Sequence, residues 1–316
     1  MVNRSTLTIR QLRGGLDECW HPVSARLWQD GTVAWQVGDD VASYWRSASK
    51  PFQLVTSLAQ LPAAQVAALD EIELAVGAAS HNGESGHTDI VGALLSRFGL
   101  AADALQCGAQ APSHGATARA TTTPLPIHNN CSGKHTFMLA ACAARGWSAD
   151  YRPLDHPLQT ANHALLDDLA GVHHGCGVDG CSVPTFFAPL SAQARAWGAL
   201  AGAMAEGSTA LGRVGWAMHR QPWFMSGTGR LDLAVVQQAP EPVACKIGAE
   251  GLFCVAIPGW RAGLAVKVHT GNTDALAVAV SAVLAELGLP LSGAWPWATV
   301  RNVREVSVGE RVAAWT

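Results

Sequence analysis

The sequence predicts an α+β fold: an antiparallel sheet built from N- and C-terminal strands with flanking helices, plus a helical insertion. Three observations lead to it. Alternating apolar stretches stand near the N-terminus, helical periods fill the middle, and apolar strand-like runs return past Val243. When strands segregate to the two ends of a chain, one sheet closes only if those ends pair.

The first strand pair is Ser24 to Gln29 and Thr32 to Val37, joined by Asp30-Gly31, which tolerates the positive φ of a tight hairpin turn. From Ser47 to about Leu211 the periods are helical, clearest in Phe52 to Leu61, Thr88 to Phe98, Lys134 to Arg145, His156 to Leu169 and Leu190 to Met204. Strands return as Val243 to Ile247, Leu252 to Ile257 and Ala262 to His269, followed by a helix at Thr273 to Leu287 and an extended run from Thr299. The expected organisation is a single catalytic unit over 1–316, with a sheet lobe from about 1–60 and 225–316, a helical lobe from about 61–224, and the active site between them.

Only 14% of residues are charged, against roughly 25% in an average globular protein, which points to extensive burial that can include a subunit interface. A net charge of −3 with no basic stripe leaves no electrostatic footprint for a polyanion, so no nucleic-acid partner is expected. Met1 to Thr6 lacks the apolar core of a signal peptide, and the most apolar helix candidate, Ala275 to Leu289, is interrupted by Ser281 and Glu286. A cytoplasmic protein with no membrane partner is the expectation. Its eight cysteines would then be reduced, and their spacing is read for metal or catalysis before disulfides.

Ser47 and Lys50 are three residues apart at the start of a helical pattern, a spacing that brings two side chains to one helix face. A neutral lysine, its pKa lowered by desolvation or by another cation, can take the proton of a serine hydroxyl. The spacing alone is close to noise, and Pro51 biases residue 50 away from the α region. Two later elements add weight: Ser80-His81-Asn82 and Lys246-Ile247-Gly248. The order Ser-x-x-Lys, Ser-x-Asn, Lys-Thr-Gly is that of penicillin-recognising enzymes, with Ile247 here in place of the threonine. Read alone, Ser80 and Asn82 fit a turn or helix cap equally well.

Asn130-Cys131-Ser132-Gly133-Lys134-His135 and His173-His174-Gly175-Cys176-Gly177-Val178-Asp179-Gly180-Cys181 form a second constellation. Thiolates beside histidines suggest zinc, drawn on spacing alone from Cys131, Cys176, Cys181 and one of His173 or His174. The alternative is that the glycines shape a loop and the thiols are small buried hydrophobes.

Together with Arg46-Ser47-Ala48-Ser49-Lys50-Pro51-Phe52-Gln53, Ser226-Gly227-Thr228-Gly229-Arg230 and Lys246-Ile247-Gly248-Ala249-Glu250-Gly251, these segments resemble the serial signatures of the rhizobial-type, or class 3, L-asparaginases, over about residues 40 to 270. That family is related in fold to serine β-lactamases and glutaminases. The resemblance implies that Ser47 attacks the side-chain amide of asparagine with Lys50 as its base, and that Ser80 and Lys246 form a second Ser-Lys pair that relays protons. Ammonia leaves and water cleaves the aspartyl ester. Two neighbouring lysines would lower each other's pKa.

The resemblance further implies a zinc site at Cys131, Lys134 and Cys181, with Asp179 a direct or water-mediated ligand, in place of the histidine-based set. Arg46, Asn82 and His135 would line the substrate pocket, Arg46 pairing with an α-carboxylate, although Arg46 also reads as an ordinary surface charge. Lys267 competes with Lys246 for the role of second lysine. A homodimer is the family expectation. Two alternatives stay open: a glutaminase, esterase or β-lactam-interacting hydrolase with the same machinery, and a non-catalytic ligand-binding relative. One methylene changes discrimination by only ~1–3 kcal/mol, so sequence does not separate asparagine from glutamine.

Overall fold

The computed structural model of the chain describes residues 5–173 and 175–316. Its strands are β1 (Leu7–Arg13), β2 (Leu16–Gln29), β3 (Thr32–Val37), β4 (Ala42–Tyr44), β5 (Gly175–Val178), β6 (Pro184–Pro189), β7 (Ala244–Gly248), β8 (Leu252–Ile257), β9 (Ala262–Val268), β10 (Thr299–Arg301) and β11 (Ser307–Trp315). Eight of them make an antiparallel sheet in the order β10-β11-β1-β2-β9-β8-β7, with β3 also paired to β2. The two ends of the chain meet twice: Leu7 lies opposite Trp315 and Ser24 opposite Lys267. This is the α+β arrangement expected, with helices flanking a sheet of terminal strands.

Strand periodicity explains how the sheet is covered. On β8, Phe253, Val255 and Ile257 enter one core with Leu276, Val280 and Val283 of the helix Thr273–Glu286. The alternate residues Leu252, Cys254 and Ala256 enter another with Trp197 and Leu200 of the helix Leu190–Glu206. Both faces of the sheet are therefore dry at β8, in keeping with the low charge content. Each large apolar side chain fully buried here contributes about 1.5–3 kcal/mol. A third core surrounds the helix Ser132–Arg145, where Met138 and Leu139 meet Val91, Leu95 and Tyr151, and Cys131 and Cys181 sit in the same cluster.

The structure departs from the sequence reading in three places. β1 is an additional strand and β2 starts at Leu16 rather than Ser24; the added hairpin carries Arg10, Arg13, Asp17 and Glu18, whose cross-strand ion pairs replace apolar alternation. The middle of the chain is not all helix, because β4, β6 and β5 form a separate three-stranded sheet. β5 is only Gly-Cys-Gly-Val, and β6 is bounded by Pro184 and Pro189, so neither shows a period of its own; β6 becomes a strand by pairing with the distant β4. Further helices lie outside those the sequence predicts, among them Ala210–Arg220, Leu231–Gln238 and Glu71–Gly77, the last despite a capping box between Asp70 and Glu73. No helix among the described residues is long and apolar enough to cross a membrane.

Candidate active site

Ser47 sits where β4 turns into helix. Trp45 donates its backbone N–H to Phe186 O at 2.9 Å, and Arg46 donates its own to Thr185 Oγ1 at 3.2 Å, so β6 fixes the entry to the turn. Arg46 holds a φ of +46°, a left-handed conformation rare outside glycine and characteristic of sites held under strain. A 3₁₀ turn over Arg46–Ser49 follows, closed by Ser49 Oγ donating to Arg46 O at 2.8 Å, and leads into the helix Lys50–Leu58. Lys50 is α-helical despite Pro51, whose ring falls in the first turn where no N–H is needed. The irregularity expected from Pro51 is taken up one turn earlier.

Ser47 is half-buried and borders two adjoining hollows that share Asn130 and Ala249. One, of 420 Å³, is walled by Arg46, Asn130, Cys131, Asp179 and Cys181. The other, of 220 Å³, is walled by Ser80, Arg230 and the segment Ile247 to Ala249. Ser47 Oγ has no hydrogen-bond partner among the described residues, so it is open to a ligand in either hollow.

Lys50 is buried and donates from Nζ to Ala79 O at 2.6 Å and to Ser80 Oγ at 2.8 Å, with Asn130 O at 3.5 Å. The hydroxyl it holds is thus that of Ser80. Burial lowers its pKa and the charge of Lys134 adds to this, against the attraction of Cys131. Lys246, on β7, is fully enclosed; it donates to Ile247 O at 3.2 Å and lies 3.8 Å from Asp232 Oδ1. Burial, opposed by Asp232 and assisted by Lys50, brings its pKa down to about 7. Lys267 is only half-buried and its Nζ is held by the carbonyl of Glu250.

The segment from Ser80 to Glu84 is tied at both ends. Gly83 N–H donates to His81 Nδ1 at 3.1 Å, which leaves the His81 Nε2 proton for Ser132 Oγ at 2.9 Å. Asn82 Nδ2 donates to Thr228 O at 2.9 Å and Glu84 accepts from the Thr228 N–H and hydroxyl, so the Ser226 to Arg230 loop is held by Asn82 and Glu84. Burial works against ionisation of Glu84, and the donors from Thr228 and Asn82 overcome it and lower its pKa. Asn82 is therefore a wall-builder, and it borders neither hollow. His135 lies deeper: Nδ1 meets Tyr151 Oη at 2.8 Å, Nε2 is buried without a partner, and burial keeps the ring neutral.

Cys131 caps the helix Ser132–Arg145 and Lys134 lies in its first turn. Gly133 between them is required by space, since a Cβ there would stand 2.1 Å from Val76 O. Lys134 Nζ donates to Cys181 Sγ at 3.2 Å. The Cys181 thiol, overcoming burial and joined by Lys50 and Lys134, holds Cys131 well below the ordinary thiol range, and Cys181 is correspondingly pushed up. Burial alone would deprotonate Lys134, but Cys181, Cys131 and Asp179 raise its pKa instead. Asp179 Oδ1 accepts from Arg46 Nε at 2.6 Å. Burial opposes its ionisation, but Lys134 and Arg46 together lower its pKa.

His173 does not join these thiols. It meets Asp167 and His163, whose ligand atoms all lie within 4.8 Å of one another, the one group of three His, Cys or carboxylate donors among the described residues so arranged and capable of holding a metal ion. His174, the other histidine proposed from spacing, lies outside the described residues. Asp232 is the functional candidate that sequence reasoning missed: fully buried, it accepts the Ile247 N–H at 2.6 Å on Oδ1 and leaves Oδ2 without a partner beside Lys246. It stands two residues past Ser226–Arg230, but no spacing rule links it to a lysine on a strand.

A buried amine whose pKa falls to about 7, beside a second one also lowered, serves chemistry in which a hydroxyl or water must be deprotonated, and the protein is a hydrolase of α+β, serine β-lactamase-like architecture. The L-asparaginase II family model matches residues 9–313, nearly the whole chain, and the chain belongs to that family. Its substrate is accordingly a small-molecule amide. No curated protein matches the chain.

Proposed function

We propose that this asparaginase acts on L-asparagine through a serine acyl-enzyme formed at Ser47. The observation that carries the reading is the 2.8 Å contact from Lys50 Nζ to Ser80 Oγ, because it couples a buried amine to a hydroxyl on the wall that Ser47 also borders. Ser47 Oγ adds to the side-chain amide carbon as its proton passes to neutral Lys50, and Ser80 hands a proton to the departing nitrogen while Lys50 refills Ser80 along their 2.8 Å contact, so that the C–N bond breaks and the nitrogen leaves as ammonia. Water then cleaves the aspartyl ester, its protons returning through the same groups. Lys246 is the second amine, favoured over Lys267 by its enclosure, by Asp232 and by its response to the charge on Lys50.

Arg46, with Nε given to Asp179 and Nη1 only 3.9 Å from the exposed Glu250 Oε1, offers its remaining guanidinium N–H groups to the substrate α-carboxylate at the wall of the larger hollow. Cys131, Lys134 and Cys181 fit a zinc ion: two sulfurs and a nitrogen, all buried, with Nζ and Sγ 3.2 Å apart, suit its preference for N and S donors. Asp179 does not complete a three-donor group with the two cysteines, which fits attachment through water. When bound, the ion supplies a fixed positive charge beside the substrate.

The reading includes a homodimer, supported by Leu16 and Trp20, 76% and 57% exposed on the β1–β2 hairpin, and testable by light scattering. It also includes a cytoplasmic setting, supported by eight free thiols.

Ammonia release from asparagine and glutamine tests the proposal. Ser47→Ala is expected to lower turnover by at least about 10⁴-fold with the fold intact by circular dichroism. Ammonia release retained in that variant removes Ser47 as nucleophile. Glutamine cleaved as fast as asparagine removes the substrate assignment alone.

A further inference from the structure

We infer that His163, Asp167 and His173 form a second metal site, for a divalent first-row ion of the zinc type, separate from the cysteine site. His163 and Asp167 are one turn apart on the helix Pro157–Ala170, so their side chains share a face. Gly171 ends that helix with a φ of +69° and its N–H on Asp167 O at 2.8 Å, which folds the chain back and returns His173 to the same face. That positive φ is strained for a residue with a Cβ, which favours glycine at the turn.

The result is two imidazoles meeting the two oxygens of one carboxylate. His163 Nε2 is 3.5 Å from Asp167 Oδ1, and His173 Nδ1 is 2.7 Å from Asp167 Oδ2. Donors held about 2.0–2.2 Å from one ion stand roughly 3.4 Å apart in a tetrahedron, so small side-chain adjustments suffice. The His163 ring is already fixed, stacked on buried Phe186 of β6 at 4.9 Å and 24°. His173 is largely exposed and supplies the open approach; its neutral ring carries the proton on Nε2 when Nδ1 binds.

Two imidazoles and one carboxylate select a zinc-like ion over calcium or magnesium, which take oxygen donors. None of the three residues borders the hollows around Ser47. The site nevertheless lies at the base of the β5–β6 hairpin, whose turn delivers Asp179 and Cys181. An ion there ties the end of a helix to the entry of that hairpin.

The test is zinc content of the whole protein after equilibrium dialysis at neutral pH, for the parent, His173→Gln, Cys131→Ala and the double variant. Two equivalents are expected in the parent, one in each single variant and none in the double. His173→Gln keeps a polar partner for Asp167 at an exposed position and so preserves the fold. Cobalt substitution identifies which ion remains, since a thiolate charge-transfer band is expected in His173→Gln and not in Cys131→Ala. Zinc content unchanged by His173→Gln overturns the inference, as does a metal-free Cys131→Ala. If the parent binds one equivalent that His173→Gln alone removes, the second site stands and the cysteine site falls.

Discussion

The amines of Lys50 and Lys246 and that of Lys134 are equally cut off from water, yet the first two move towards neutrality and the third becomes harder to deprotonate than a free lysine. The difference lies in what each faces. Lys50 meets two carbonyls and a hydroxyl, and Lys246 meets a carbonyl and a single carboxylate at 3.8 Å. Lys134 meets a thiol at 3.2 Å within the field of a second thiol and a carboxylate. Desolvation sets the common direction, and the local count of negative charge decides whether it prevails. The site thus has a corner where burial drives amines towards the neutral form and a corner where an amine keeps its proton, the latter being the one proposed above to hold zinc.

Removing Lys50 breaks the first corner and has the largest effect among the changes to these buried charges. Lys50→Met is expected to lower kcat by about 10²–10⁴-fold, with near-native far-ultraviolet dichroism because an apolar chain replaces a buried amine. Turnover within a few-fold of the parent would falsify its role as base.

Lys246 has an effect on stability whose sign follows from its lowered pKa. Above about pH 7 it is neutral in the folded chain but still protonated when unfolded up to about pH 10, so the unfolded state holds more protons and stability rises with pH across that window. The slope from this one group reaches at most about 1.4 kcal/mol per pH unit. Denaturant titrations from pH 7 to 10 should show that component in the parent and its loss in Lys246→Met, whose overall stability also drops as Asp232 loses its partner. Equal slopes in the two proteins would mean that Lys246 stays charged when folded.

Asp232→Asn sharpens the comparison by the smallest step. Its charge supports protonation of Lys246, so its removal should move the acid limb of kcat/KM from near pH 7 downward by roughly 0.5–1 unit. A limb that stays in place while kcat falls would assign Asp232 to holding β7 through Ile247 N–H rather than to the amine.

The parts of this protein legible in its sequence are those whose causes are local. Apolar spacing gave β8 its boundaries, and the helix Leu190–Glu206 its start, because burial of one face dictates the pattern. β5 and β6 are hidden, since the four residues of β5 set no period and β6 owes its place to β4, far away in the chain. In the same way, Ser47 and Lys50 could be read as neighbours by spacing, but that Lys50 turns its amine to Ser80 depends on how the Ala79 to Asn82 segment packs. Asp232 and the meeting of His173 with Asp167 are further contacts between separate elements, the second made by a glycine turn whose direction no period announces.

The pairing of β2 with β9 has a consequence for how this protein comes to exist. Ser47 and Ser80 are made early and Lys246 late, and β2, which must carry β9 beside it, waits for its partner while most of the chain is synthesised. Contacts so distant in sequence are slow to form because the entropy of closing the intervening loop is lost before the pairing rewards it. Until then the edge of β2 that pairs with β9 is open, of the kind that seeks other chains. The cleft between the ends is thus among the last regions to assemble, and crowding of nascent chains threatens it before any substrate arrives.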